Sequence, residues 1–238
     1  MANFVLVHGG WRGSLIWRRI VRRLRAEGHE VYAPSLTGLG DRSHLSHAGV
    51  NLSTHIQDIV SLIQYEDLNE VVLCGASYGG MVITGVADRI SERIAALVYL
   101  EGIVPQDGES GFALAPEALR VAVINNAALH GGYSISPLTP DTIPADGRDP
   151  SPVDHGSPQS LATFTEAIRL KGNQNKIKTK IYLMSTSDQL GLGKFYDQVK
   201  NDPAWIPRAI DCGHDIAQEK PEEVVALLKE AAVLVRSR

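Results

Sequence analysis

The chain has 238 residues, 44% of them hydrophobic and 21% charged, which suits one large α/β domain or two small ones. A net charge of −4 with a pI near 6.1 argues against a nucleic-acid partner, which favours a basic face. No apolar run approaches the roughly 18 residues that span a bilayer, so a membrane partner is not expected either.

The N-terminus enters a strand-like run at once, NFVLV (3–7), with no basic n-region, so no signal peptide is expected. His8-Gly9-Gly10 ends that strand. Ile16, Trp17, Ile20, Val21 and Leu24 then recur at helical spacing over 15–26, with five arginines largely on the other side as a solvated face. VYAP (31–34) reads as a second strand, followed by a glycine-bearing loop. A helix carrying Ile56, Ile59, Val60 and Ile63 comes next, with Thr54 and Gln57 as its capping box. VVLC (71–74) is a third strand, 78–90 a helix and AALVYL (95–100) a fourth strand.

After Glu101 the rhythm breaks. Residues 104–177 are rich in Pro, Gly, Ser and Asp, with helix-like segments near 113–130 and 157–170. The alternation resumes with a strand at 180–184, a helix around 194–201, a weak strand near 206–210 and a last helix from Pro221. Proline and two glutamates in its first turn suit a helix start. Strands alternating with helices imply a doubly wound, mostly parallel sheet of about six strands, covered on both faces. Residues 1–103 and 178–238 form its core, and 104–177 form an inserted cap over the strands' carboxyl ends, where such sheets bind ligands.

GASYGG (75–80) joins the third strand to its helix. G-x-S-x-G arises by chance on the order of 0.1 times in a chain this long, given glycine near 7%. The strand before it and the helix after it sharpen the signal, because that geometry holds the Ser77 hydroxyl up at a tight corner. A serine needs a base to take its proton, and the base needs an acid to fix its tautomer. Three histidines follow Ser77. His130 and His155 lie in the insertion, whereas His214 lies between the last strand and the last helix, where a loop presents it at the sheet edge. Asp188, just past the strand KIYLM, is the favoured acid, and Glu101 at the end of the preceding strand is the alternative. Asp211 and Asp215 read as surface charges. The developing oxyanion needs two donors, the N–H groups of Tyr78 and of Gly10 in the first loop. His8 braces that loop, and Trp11 is a candidate substrate-binding residue. His44, His47 and Asp41 are loop decoration, so no metal site is expected.

FVLVHGG, Trp17, GASYGG, STSDQ and GHD together resemble the α/β-hydrolase superfamily. Within it, the chain is similar to the branch of plant methylesterases and hydroxynitrile lyases and to small bacterial esterases. The likeness covers 3–102 and 179–235, includes the missing N-terminal hairpin of larger members, and meets the insertion only in position and length. It implies Ser77 as nucleophile, His214 as base, Asp188 as acid, Gly10 and Tyr78 as oxyanion donors, no cofactor, and a homodimer. Lyases of this branch carry a lysine just after the histidine and a threonine in the first loop. Here those positions hold Asp215 and Gly9, which favours ester hydrolysis. The expected protein is a cytoplasmic serine carboxylic-ester hydrolase for small, fairly apolar aryl or methyl esters or lactones, the alternatives being hydroxynitrile lyase-type carbon–carbon cleavage or a non-catalytic small-molecule receptor on the same fold. Two cysteines, Cys74 and Cys212, suit that reducing compartment.

Overall fold

The computed structural model describes residues 1–137, 156–187 and 190–236. Six strands, β1 (Asn3–Val7), β2 (Glu30–Tyr32), β3 (Val71–Ala76), β4 (Ile94–Leu100), β7 (Thr179–Ser185) and β8 (Ile206–Ile210), form one sheet in the order β2-β1-β3-β4-β7-β8. Every pairing in it is parallel. A two-stranded antiparallel ribbon, β5 (Ser134–Ile135) with β6 (Gln159–Ser160), stands apart from it.

Period-2 alternation sorts each strand between two cores. Val5, Val7, Leu73, Leu97, Tyr99 and Tyr182 face one way, packed with α2 (Leu52–Tyr65) and α3 (Gly79–Arg89). Phe4, Leu6, Val72, Cys74, Val98 and Ile181 face the other, under α1 (Arg18–Ala26) and α9 (Pro221–Arg236). A fully buried aliphatic of this kind contributes about 1.5–3 kcal/mol. The five arginines of 18–25 are exposed, as the helical spacing predicts.

Two local readings need correction. The N-cap of α2 is Asn51, whose side chain accepts from Thr54 N–H while Thr54 Oγ1 accepts from Asn51 N–H. The capping box therefore lies one turn earlier than Thr54 and Gln57. Within 157–170 the only helix is the single turn α6 (Ala162–Thr165), since 159–160 is taken by the ribbon.

Between β4 and β7 the chain also forms α4 (Gly111–Leu114) and α5 (Glu117–Leu129), split at Pro116. This stretch is tied to the core by partly buried polar contacts. The Glu166 carboxylate accepts from Ser53 N–H and Ser53 Oγ, both at 2.7 Å, in the first turn of α2 where the helix dipole favours an anion. The carboxylate of Asp88 accepts from Lys171 and Asn173 N–H groups at 2.9 and 2.7 Å. Beyond β7, α7 (Gly193–Val199) and α8 (Ile216–Glu219) complete the helices of the described residues.

Candidate active site

β1 pairs with β3, so the loop after Val7 and the turn after Ala76 lie side by side where the strand order reverses. Ser77 follows β3 at φ 52°, in the left-handed region. The turn is pinned: Ser77 N–H donates to Leu100 C=O at 3.1 Å, and its own C=O accepts from Gly80 and Ile103 N–H groups at 2.9 and 3.0 Å. Space explains the three glycines. A Cβ on Gly75 would lie 2.6 Å from Gly79 O, one on Gly79 2.7 Å from Val7 O, and one on Gly80 2.3 Å from Ile103 O. The strand-turn-helix crossing closes only with bare backbone.

Glu101 follows β4, also left-handed at φ 41°, with its N–H donating to Leu183 C=O at 2.7 Å. Trp11, after the first strand's glycines, sits at φ 61°. Three of the five non-glycine left-handed residues among the described residues thus stand at this sheet edge. Each such conformation costs on the order of 1–3 kcal/mol and persists only where its surroundings fix it.

His214 lies in the loop between β8 and α8. Ser185 Oγ and Ser187 Oγ both donate to the Cys212 carbonyl, at 2.7 and 3.0 Å, which ties this loop to the end of β7. His214 Nδ1 donates to Glu101 Oε2 at 2.6 Å, and the Glu101 side chain is only 1% exposed. With Nδ1 carrying the proton, Nε2 is the basic nitrogen of the neutral ring. Burial is the largest single influence on this imidazole and pushes its pKa down. The Glu101 hydrogen bond and charge, with the Asp215 charge behind them, outweigh burial, and the pKa is raised above the ordinary imidazole value. Arg12 opposes this weakly. Asp215 is not a free surface charge: it pairs with Arg12 at 2.8 Å, both side chains about a third exposed.

The structure therefore places Ser77, Glu101 and His214 at one edge and brings Glu101, the alternative acid, onto His214. Asp188, the favoured acid, lies outside the described residues, as does His155. Among the described residues no hydrogen bond joins Ser77 Oγ to His214. Such contacts commonly tighten only when substrate binds. His130 caps the end of α5, with its ring bonded to Asn126 O and Ser136 Oγ.

Gly10, Trp11, Ser77 and Tyr78 line one cavity of about 70 Å³. Its remaining wall is aliphatic and aromatic, including Phe112, Leu119, Val123 and Phe164 from between β4 and β7. Neither Gly10 N–H nor Tyr78 N–H is used by another hydrogen bond among the described residues. His8, fully buried, accepts from Leu36 N–H on Nε2 at 3.0 Å and donates from Nδ1 to Gly9 O at 2.8 Å. That ring braces the first loop.

The Tyr78 side chain is buried, and burial pushes its phenol pKa well up, keeping it protonated. It donates to His55 Nδ1 at 2.9 Å, while His55 Nε2 donates to Thr37 O at 2.9 Å. Burial lowers the His55 pKa and keeps that ring neutral. No sequence signal marked His55, which reads as one more buried position on α2.

A parallel sheet with a serine on a strained strand-to-helix turn, and a buried carboxylate bonded to a histidine at the same edge, defines a hydrolase of the α/β class. The Alpha/beta hydrolase family profile matches residues 4–227, and the chain belongs to that family. It is 40% identical to the carbendazim hydrolyzing esterase of Nocardioides sp. (strain SG-4G), over 96% of this chain and 98% of that one. It is also 31% identical to the polyneuridine aldehyde esterase of Rauvolfia serpentina, over 45% of this chain and 41% of that one. An extracellular alpha/beta-hydrolase from a Paenibacillus species superposes with a TM-score of 0.83 at 23% identity, over 97% of this chain and 99% of that one. The protein is an enzyme, a carboxylic-ester hydrolase. Among the described residues, no helix is long and apolar enough to cross a membrane.

Proposed function

We propose that the enzyme cleaves small, uncharged esters through an acyl-enzyme on Ser77, with His214 as base and Glu101 as the carboxylate behind it. The observation that carries this reading is the 2.6 Å bond from His214 Nδ1 to the buried Glu101 carboxylate. It fixes the tautomer whose Nε2 can accept the serine proton. Ser77 Oγ attacks the acyl carbon as its proton passes to Nε2. The carbonyl oxygen, now negative, is held by the N–H groups of Gly10 and Tyr78. The alkoxide leaves with the proton from His214. Water then loses a proton to the same imidazole and attacks the acyl-enzyme, which releases the acid and restores Ser77.

The 104–177 insertion is the cap in this reading, because Phe112, Leu114, Leu119, Val123 and Phe164 within it line the cavity that Ser77 shares. Its apolar lining suits the uncharged groups of aryl or methyl esters or lactones, with Trp11 against the bound group. Carbendazim, in the name of the 40% identical relative, belongs in the substrate panel. Cys74 and Cys212 are buried and not joined in a disulfide, which supports a reducing, cytoplasmic setting, and a homodimer rests on the family resemblance.

The test compares neutral p-nitrophenyl and methyl esters, lactones and carbendazim with a hemiester carrying a free carboxylate, and a cyanohydrin with all of them. At least a tenfold higher kcat/KM for the neutral esters is expected, with no cyanide released. Equal turnover of the charged ester would overturn the substrate reading, and cyanide release would establish lyase chemistry instead.

A further inference from the structure

The oxyanion loop is held from an unexpected direction. Trp11, immediately after Gly10, keeps φ 61° with all its polar groups bonded to the cap. Its N–H donates to Gln159 Oε1 at 2.7 Å, its C=O accepts from Ser157 N–H at 2.7 Å, and its indole N–H donates to Ile135 O at 3.1 Å. Ile135 and Gln159 face each other in the β5–β6 ribbon. Gln159 is itself oriented, since its Nε2 donates to Thr163 Oγ1 at 2.7 Å and Thr163 Oγ1 donates to Ser160 O at 2.7 Å. Gln159 and Thr163 are 1% and 0% exposed. Cap atoms also press on Gly10: a Cβ there would lie 3.1 Å from Phe164 Cζ and 3.4 Å from Gln159 Oε1.

We infer that Gln159 is a positioning residue: through the Trp11 N–H it sets the left-handed turn that aims the Gly10 N–H at the oxyanion. A left-handed tryptophan is unfavourable by itself, so the loop relaxes when its three partners are removed. The Gly10–Trp11 peptide is the link. If it turns, the preceding Gly9–Gly10 peptide, which carries the oxyanion donor, turns with it. The cap is then part of the catalytic geometry and not only a roof. This rests on Gly10 and Tyr78 being the oxyanion donors of a Ser77 mechanism.

The experiment measures kcat and KM for a small p-nitrophenyl ester, and the Ki of a trifluoromethyl ketone that forms a tetrahedral adduct. Four proteins are compared with the parent: Gln159→Leu, Gln159→Glu, Thr163→Val and Ser77→Ala. Leucine keeps the volume and removes the acceptor. Glutamate restores an oxygen for Trp11 N–H. Losing an oxyanion donor outright costs about 10²–10³ in kcat, so misaligning one is expected to cost about tenfold in Gln159→Leu. KM should stay within about twofold, the ketone Ki should rise by the same factor as kcat falls, and Gln159→Glu should recover most of the rate. Thr163→Val, which frees the carboxamide to rotate, should shift the same parameters less and serves should Gln159→Leu not fold. A fall in kcat under fivefold, a loss confined to KM, or no recovery with glutamate overturns the role of Gln159. If Ser77→Ala keeps the parent's rate, the serine mechanism itself fails, which is a separable result.

Discussion

Replacing Glu101 by glutamine removes one charge from the site and almost no volume. In the parent, the carboxylate accepts from His214 Nδ1 at 2.6 Å while buried at 1% exposure. Glutamine can satisfy Nδ1 with its oxygen, or turn its amide and force the proton onto Nε2, which disables the base. Loss of the equivalent carboxylate in a serine triad costs about 10⁴ in kcat, so a fall of about 10³–10⁴, or roughly 4–5.5 kcal/mol of barrier, is expected. The residual activity should have a different pH profile. His214 works as base only when neutral, and its raised pKa holds the acid limb above the ordinary imidazole value. Without the Glu101 charge the pKa falls, and the acid limb moves to lower pH. Stability should hold or rise, because a buried carboxylate has been removed with its shape kept. Steady-state kinetics from pH 5 to 9 on Glu101→Gln and Asp188→Asn, with thermal melts, make the test. Glu101→Gln within a few fold of the parent, beside an Asp188→Asn variant that is nearly dead, would refute the assignment of Glu101.

Two further outcomes follow from contacts around the turn. Tyr78→Phe leaves His55 Nδ1 buried without a donor, and urea denaturation should show a loss of about 1–3 kcal/mol, whereas an unchanged midpoint would contradict the bond at 2.9 Å. Gly80→Ala places a Cβ 2.3 Å from the Ile103 carbonyl. That overlap is with backbone, so about 3 kcal/mol or more of stability should be lost, and a stable, active alanine variant would show that the helix can shift away from Ile103.

Much of the fold was legible because burial and period coincide. NFVLV, VVLC and AALVYL are short apolar runs, and the alternation between them and the helices led directly to a parallel sheet. Ser77 and His214 were legible from local context, a glycine-framed turn and a histidine between the last strand and helix. The acid was not. Asp188 and Glu101 each follow a strand that ends at the same edge, and which carboxylate reaches Nδ1 depends on backbone direction. Glu101 turns through a left-handed φ of 41° that no neighbouring residue type announces. The ion pair of Asp215 with Arg12 was missed for a similar reason, since its partners lie 203 residues apart. Gln159 was missed because the stretch between β4 and β7 has no periodic pattern, and a glutamine in an irregular stretch looks solvated. Its burial comes from the ribbon, whose two strands have two residues each and give no alternation to read. The short helix at 162–165 shows the converse, where helix-like composition over 157–170 yields to the polar partners that the ribbon and Trp11 demand.

The most direct measurement is covalent. A fluorophosphonate added to the parent should abolish ester hydrolysis at one equivalent per chain, and peptide mapping should place the label on Ser77, with Ser77→Ala unlabelled and inactive. A label on any other residue, or a Ser77→Ala protein that still turns over esters at the parent's rate, would contradict a serine held above the sheet as the nucleophile.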